Sequence, residues 1–79
     1  MDPGDAFGKV LRVVRKEAGM TQEELAHAAE VDRTFVSMIE RGERQPTVRT
    51  LFKLADALKT SPVRLVELTQ QMAKGADAG

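Results

Sequence analysis

The sequence predicts an all-α fold, five short helices in one domain, and three observations lead there. Apolar residues recur at spacings of three and four through most of the 79-residue chain. No stretch alternates apolar and polar residues long enough to make a strand. Helix-starting residues punctuate the chain at short intervals, with Thr21, Asp32, Thr47 and Ser61 each placed ahead of an apolar run.

Helix one is expected from about Asp5 to Ala18. There Phe7, Val10, Leu11, Val14 and Ala18 share a face, and Gly19 follows as a left-handed C-cap. Residues 1–4 read as a flexible N-terminus. Thr21-Gln-Glu-Glu24 is a capping box: Thr21 accepts from a backbone N–H three residues on, while Glu24 reaches back to the N–H of Thr21. Helix two then turns Leu25, Ala26 and Ala29 inward, and Val31 leads into Asp32, the N-cap of helix three. Two short helices therefore meet at a tight turn. Helix three runs to Arg41, burying Val36 and Ile39, and Gly42 ends it where a positive φ is cheapest. After the polar loop from Glu43 to Pro46, Thr47 caps helix four. Its Val48, Leu51, Phe52, Leu54, Ala55 and Leu58 make an apolar arc of roughly 160°, at about 100° of rotation per residue. That arc is wider than one core contact needs. Ser61-Pro62 opens helix five, which carries Val63, Leu65, Val66, Leu68 and Met72. The domain is expected to span residues 5–73, with 74–79, small residues around Gly75, as a flexible tail.

Composition excludes several function classes. The chain has no cysteine, so disulfides, thiolate metal sites and cysteine nucleophiles are out, and the single histidine, His27, cannot form a metal cluster and is read as a surface residue. No metal and no cofactor is expected. Without a Gly-rich phosphate loop, a glycine-flanked serine or a His at a recognisable distance from a nucleophile, the chain does not read as an enzyme. Its apolar runs are only a few residues long and its N-terminus lacks a basic-then-apolar leader. The expectation is a cytoplasmic protein with no membrane partner and no small-molecule ligand. The formal net charge is zero, which counts against nucleic acid unless the charges are unevenly placed. They are: from Arg33 to Arg49 there are four arginines against Glu40 and Glu43, a local excess of two.

Three separated motifs now matter together: Thr21-Gln-Glu-Glu-Leu-Ala26, Val31-Asp-Arg-Thr-Phe-Val-Ser-Met-Ile-Glu-Arg-Gly42, and Thr50-Leu-Phe-Lys-Leu-Ala-Asp-Ala-Leu58. In order and interval they closely resemble the phage repressor and Cro type (XRE family) of helix-turn-helix regulator, over roughly residues 6 to 69. The resemblance implies a five-helix, lambda-repressor-like domain whose helix three enters the DNA major groove while helix two crosses the backbone. Such a protein would be cytoplasmic and associated with the nucleoid through DNA.

On that resemblance Arg33, Thr34, Ser37 and Met38 form the outward, base-reading face. Arg33 suits the O6 and N7 of guanine, with a phosphate contact as the alternative, and Thr34 suits a base edge or a thymine methyl. Met38 either lies against a thymine methyl or fills space between helices, and Phe35 is read as packing in preference to base contact. Phosphate contacts are implied for Gln22, at the first turn of helix two, and for Arg41, Arg44, Gln45, Thr47 and Arg49 beyond the recognition helix. Simple solvation is the alternative for Gln22, Arg44 and Gln45. Arg15 and Glu40 are implied as a structural ion pair.

Two positions depart from the family pattern. Glu30 and Lys59 stand where glycine usually closes helices two and four, so Glu30 either adopts a left-handed conformation or changes the turn. Because one recognition helix reads only a few base pairs, a homodimer on a palindromic operator is implied. Val63 and Val66, lying off the core stripe of helix five, join Phe52 as the candidate interface, unless they are ordinary apolar surface. The short length and the Asp32-Arg-Thr34 and Glu40-Arg-Gly-Glu-Arg44 stretches are similar to controller proteins of restriction-modification systems. An antitoxin, or an interaction module that retains the fold without DNA binding, are the alternatives.

Overall fold

Asp2 starts the first helix. Its carboxylate accepts from the N–H groups of Gly4 at 2.9 Å and Asp5 at 3.2 Å, and Pro3 supplies a preset φ, so α1 spans Pro3–Glu17. Residues 3 and 4, within the segment expected to be a flexible N-terminus, form the first turn of this helix, and the amino group of Met1 reaches the carbonyl of Ala73 at 3.4 Å. The structure is a computed structural model that describes residues 1–78, with side chains as far as residue 75. After α1 come α2 (Gln22–Ala29), α3 (Arg33–Glu40), α4 (Val48–Ala57) and α5 (Pro62–Ala78), with no strand among the described residues. Helix α5 runs through Gly75, which keeps a negative φ, so residues 74–78 of the expected tail are helical and Gly79 lies outside the described residues. One glycine among alanines and a lysine weakens a helix already propagating from a packed start without stopping it.

Four helix ends share one closure. At Gly19 and Met20, at Glu30 and Val31, at Gly42 and Glu43, and at Lys59 and Thr60, two successive N–H groups bond back into the last turn. Gly19 and Gly42 supply the positive φ at two of them, at 72° and 77°, and Glu30 and Lys59, each at φ 58°, supply it at the others. Glu30 therefore keeps the turn between α2 and α3 by adopting the left-handed conformation, at a cost of about 1 kcal/mol. The capping box at Thr21 forms, with Thr21 N–H donating to Glu24 Oε1 at 2.8 Å and Glu24 N–H to Thr21 Oγ1 at 3.0 Å. Asp32 holds the N-cap position of α3, but its side chain makes no capping bond.

Helix α1 lies along α5 and crosses α3, α2 packs on α3 and α4, and α4 closes on α5. Between them Leu11, Leu25, Val36, Ile39, Leu54 and Leu65 are fully buried, each contributing about 1.5–3 kcal/mol of transfer free energy. Phe7, Val10, Ala26, Ala29, Ala55 and Leu58 complete the core. Val48, on the wide apolar arc of α4, is exposed. At the crossing of α1 and α3, Gly8 is buried, and a Cβ there would strike the carbonyl oxygens of Ile39 and Glu40.

Candidate nucleic-acid interface

Burying Val36 and Ile39 leaves the other side of α3 facing outward. Arg33 and Thr34 are exposed, and Ser37 and Met38 are half-buried beside them. Phe35 is half-buried against the core, on the packing side. Asp32, expected as the cap of this helix, leaves an exposed carboxylate next to Arg33, an acidic group at the end of the face.

The C-terminal end of α3 is bolted to the scaffold. Arg15, buried on α1, donates through Nε to Glu40 Oε2 at 2.7 Å, through Nη2 to Oε1 at 3.0 Å, and through Nη1 to the carbonyl of Met20 at 2.8 Å. The hydrogen bonds it donates to Glu40 raise the guanidinium pKa above its ordinary value, so Arg15 stays charged at any pH the protein meets. Gln22 joins this network, its Nε2 donating to Glu40 Oε1 at 3.1 Å. One of its amide hydrogens is thereby used, and the side chain is held at the first turn of α2 with its other N–H and its oxygen available. That link between Gln22 and Glu40 has no sequence signal, because it depends on how α2 and α3 meet.

The remaining expected contact residues fall around the far end of α3, but not all are unengaged. Arg41 donates to Glu43 through Nε at 2.8 Å and Nη2 at 3.2 Å, and to Ser37 Oγ through Nη1 at 2.6 Å. This exposed pair raises the pKa of Arg41 and holds the Glu43 carboxyl below the usual carboxylate range. With Glu40 committed to Arg15, the cations here without an acidic partner among the described residues are Arg33, Arg44 and Arg49, all exposed. Gln45, exposed in the loop, lies against Gly4 at the start of α1. Thr47 caps α4, its Oγ1 accepting from Thr50 N–H at 3.2 Å and sharing a hydrogen bond with Thr50 Oγ1 at 3.1 Å, so its hydroxyl is already committed to the helix.

Away from α3, Phe52, Val63 and Val66 come together from α4 and α5. They are 58%, 67% and 51% exposed, and with Leu51 and Pro62 they line a shallow apolar groove. A larger groove of about 680 Å³ runs between α1 and α5 over Val10, half-exposed Val13, Leu68 and Met72, and Val13 lies outside the apolar face expected of helix one.

Comparison with known proteins fits this geometry. Residues 11–65, from the middle of α1 to the first turn of α5, match the helix-turn-helix family. The chain is 41% identical over 71 residues to the HTH-type transcriptional regulator y4dJ of Sinorhizobium fredii, covering 90% of this chain and 92% of that one. It is 38% identical to the control protein C.SmaI of Serratia marcescens, over 90% of this chain and 82% of that one. The structure superposes on the restriction-modification controller protein C.AhdI of Aeromonas hydrophila with a TM-score of 0.76 and 39% identity, over 77% of this chain and 92% of that one. With the motif formed by α2 and α3, the sequence match across most of the domain and the shared fold all in agreement, the chain belongs to the helix-turn-helix family.

Proposed function

We propose that this protein is a sequence-specific transcriptional regulator that binds double-stranded DNA as a homodimer, with α3 in the major groove. The observation that carries the reading is the outward face of α3, which carries exposed Arg33, is presented on a buried Arg15–Glu40 pair and is followed by exposed Arg44 and Arg49, these three arginines having no acidic partner among the described residues. Arg33 and Thr34 read base edges, with Ser37 and Met38 further along the same face. Gln22, Arg44, Gln45 and Arg49 hold phosphates on either side, and Arg41 joins them once released from Glu43. Thr47 acts there chiefly through the cap that positions the start of α4.

Phe52, Val63 and Val66 form the two-fold interface in this reading, placing two copies of α3 about 34 Å apart, one turn of DNA. Similarity to C.SmaI and C.AhdI supports control of an operon associated with restriction and modification, including the protein's own gene. Selection of bound sites from random duplex DNA tests the proposal. A palindrome with half-sites about one turn apart is expected. Absence of any salt-dependent duplex binding would sink it.

A further inference from the structure

Arg41 follows the last residue of α3, and three of its five N–H groups are already engaged: two face the carboxylate oxygens of Glu43 and one faces Ser37 Oγ. A guanidinium fork set against two oxygens is also the geometry in which arginine takes a phosphate. The Glu43 carboxylate thus occupies the face of Arg41 that a DNA phosphate would need. It is put there by the helix-ending turn, in which Glu43 N–H bonds the carbonyl of Met38 at 2.9 Å. Both side chains are more than half exposed, at 55% and 54%, so exchanging one oxygen pair for another disturbs nothing in the core. Exposed pairs of this kind are weakly held and can be displaced.

Resting on the proposal that this face meets DNA, we infer that Glu43 is a built-in phosphate surrogate that gates Arg41. While the two are paired, Arg41 adds little to the general attraction for the backbone, which supplies essentially all non-specific binding. On a site where α3 seats fully, a phosphate displaces Glu43 and Arg41 becomes a contact. The gate lowers affinity for arbitrary DNA more than affinity for the operator, and so widens the ratio between them.

Glu43→Gln tests this, because the amide keeps the shape, removes the charge and sits in an exposed loop, and circular dichroism verifies the fold. The readout is affinity for a random-sequence duplex across a range of salt concentrations. Glu43→Gln is expected to bind roughly threefold to tenfold tighter at low salt, and its plot of log affinity against log salt steepens by up to about 0.9, the value of one phosphate contact. Added to Arg41→Ala, the same substitution is expected to give no such gain over Arg41→Ala itself, because the cation that Glu43 masks is gone. Wild-type affinity and slope in Glu43→Gln would overturn the gate, as would an equal gain of the double variant over Arg41→Ala, which would reflect net charge alone. If the wild-type protein binds duplex and Arg44→Ala weakens it while Glu43→Gln is neutral, only the gate is wrong. If the wild-type protein shows no salt-dependent binding, the DNA reading fails with it.

Discussion

The guanidinium of Arg15 grips both carboxylate oxygens of Glu40, Nε to Oε2 at 2.7 Å and Nη2 to Oε1 at 3.0 Å, with side-chain exposures of only 9% and 4%. Removing either partner strands the other charge out of water. Glu40→Ala should therefore lose about 3–5 kcal/mol of stability. Arg15→Met/Glu40→Leu, which leaves no stranded charge, should recover much of it. Urea denaturation measures both, and a Glu40→Ala variant as stable as wild type would show that the pair is not structural.

Gly8 sets how closely α1 approaches α3. A methyl group there meets the backbone oxygens of Ile39 and Glu40, which cannot swing aside as a side chain tip can. Gly8→Ala should cost about 1–3 kcal/mol despite the better helix propensity of alanine. A thermal midpoint equal to or above that of wild type would mean the crossing is looser than it stands here.

Glu30 carries a left-handed backbone at φ 58° and ψ 46°. Glu30→Gly keeps this turn without the Cβ penalty, and after the greater chain entropy of glycine in the unfolded state the net gain should be at most about 0.5 kcal/mol. DNA affinity should not change, since the angle between α2 and α3 is preserved. A destabilised Glu30→Gly would place the cost of this turn elsewhere.

The apolar patch makes a claim about assembly. Sedimentation equilibrium of the wild type should show a dimer at micromolar concentration, and Val66→Asp should be a monomer with nearly unchanged thermal stability, because Val66 is 51% exposed in the single chain. Its binding to a two-fold site should fall sharply. A wild-type monomer at high micromolar concentration, unaffected by Val66→Asp, would remove Phe52, Val63 and Val66 from the interface.

Base reading and phosphate holding separate by their signatures. Arg33→Ala should relax one operator position by about 1–3 kcal/mol, whereas Arg44→Ala should weaken all sequences alike and reduce the salt slope by about 1. Equal effects of the two variants on operator and random duplex would assign Arg33 to phosphate.

Much of this architecture is legible in the residues themselves. Gly19 and Gly42 mark helix ends because a positive φ selects glycine, and Thr21 with Glu24 marks a start because their side chains satisfy N–H groups the helix leaves open. Asp2-Pro3 is the same kind of signal, a capping carboxylate followed by a preset φ. Val48 shows the limit of periodicity, since a residue can keep the spacing of an apolar arc and still lie beyond the reach of the core.

What the sequence alone determines is the order of the helices, their caps and the outward residues of α3, because these depend on neighbours within a turn or two. Tertiary structure decides the rest. Glu30 holds a turn that local preference assigns to glycine, with the hydrogen bonds that close α2 in place around it. Gly8 matters only because another helix arrives there. Glu40 binds Arg15 from 25 positions away and also takes the amide of Gln22, while Arg41 spends its donors on Ser37 and Glu43. The count of four arginines against two glutamates could not reveal which charges remain available, because ion pairing depends on where side chains meet in space and not on their number.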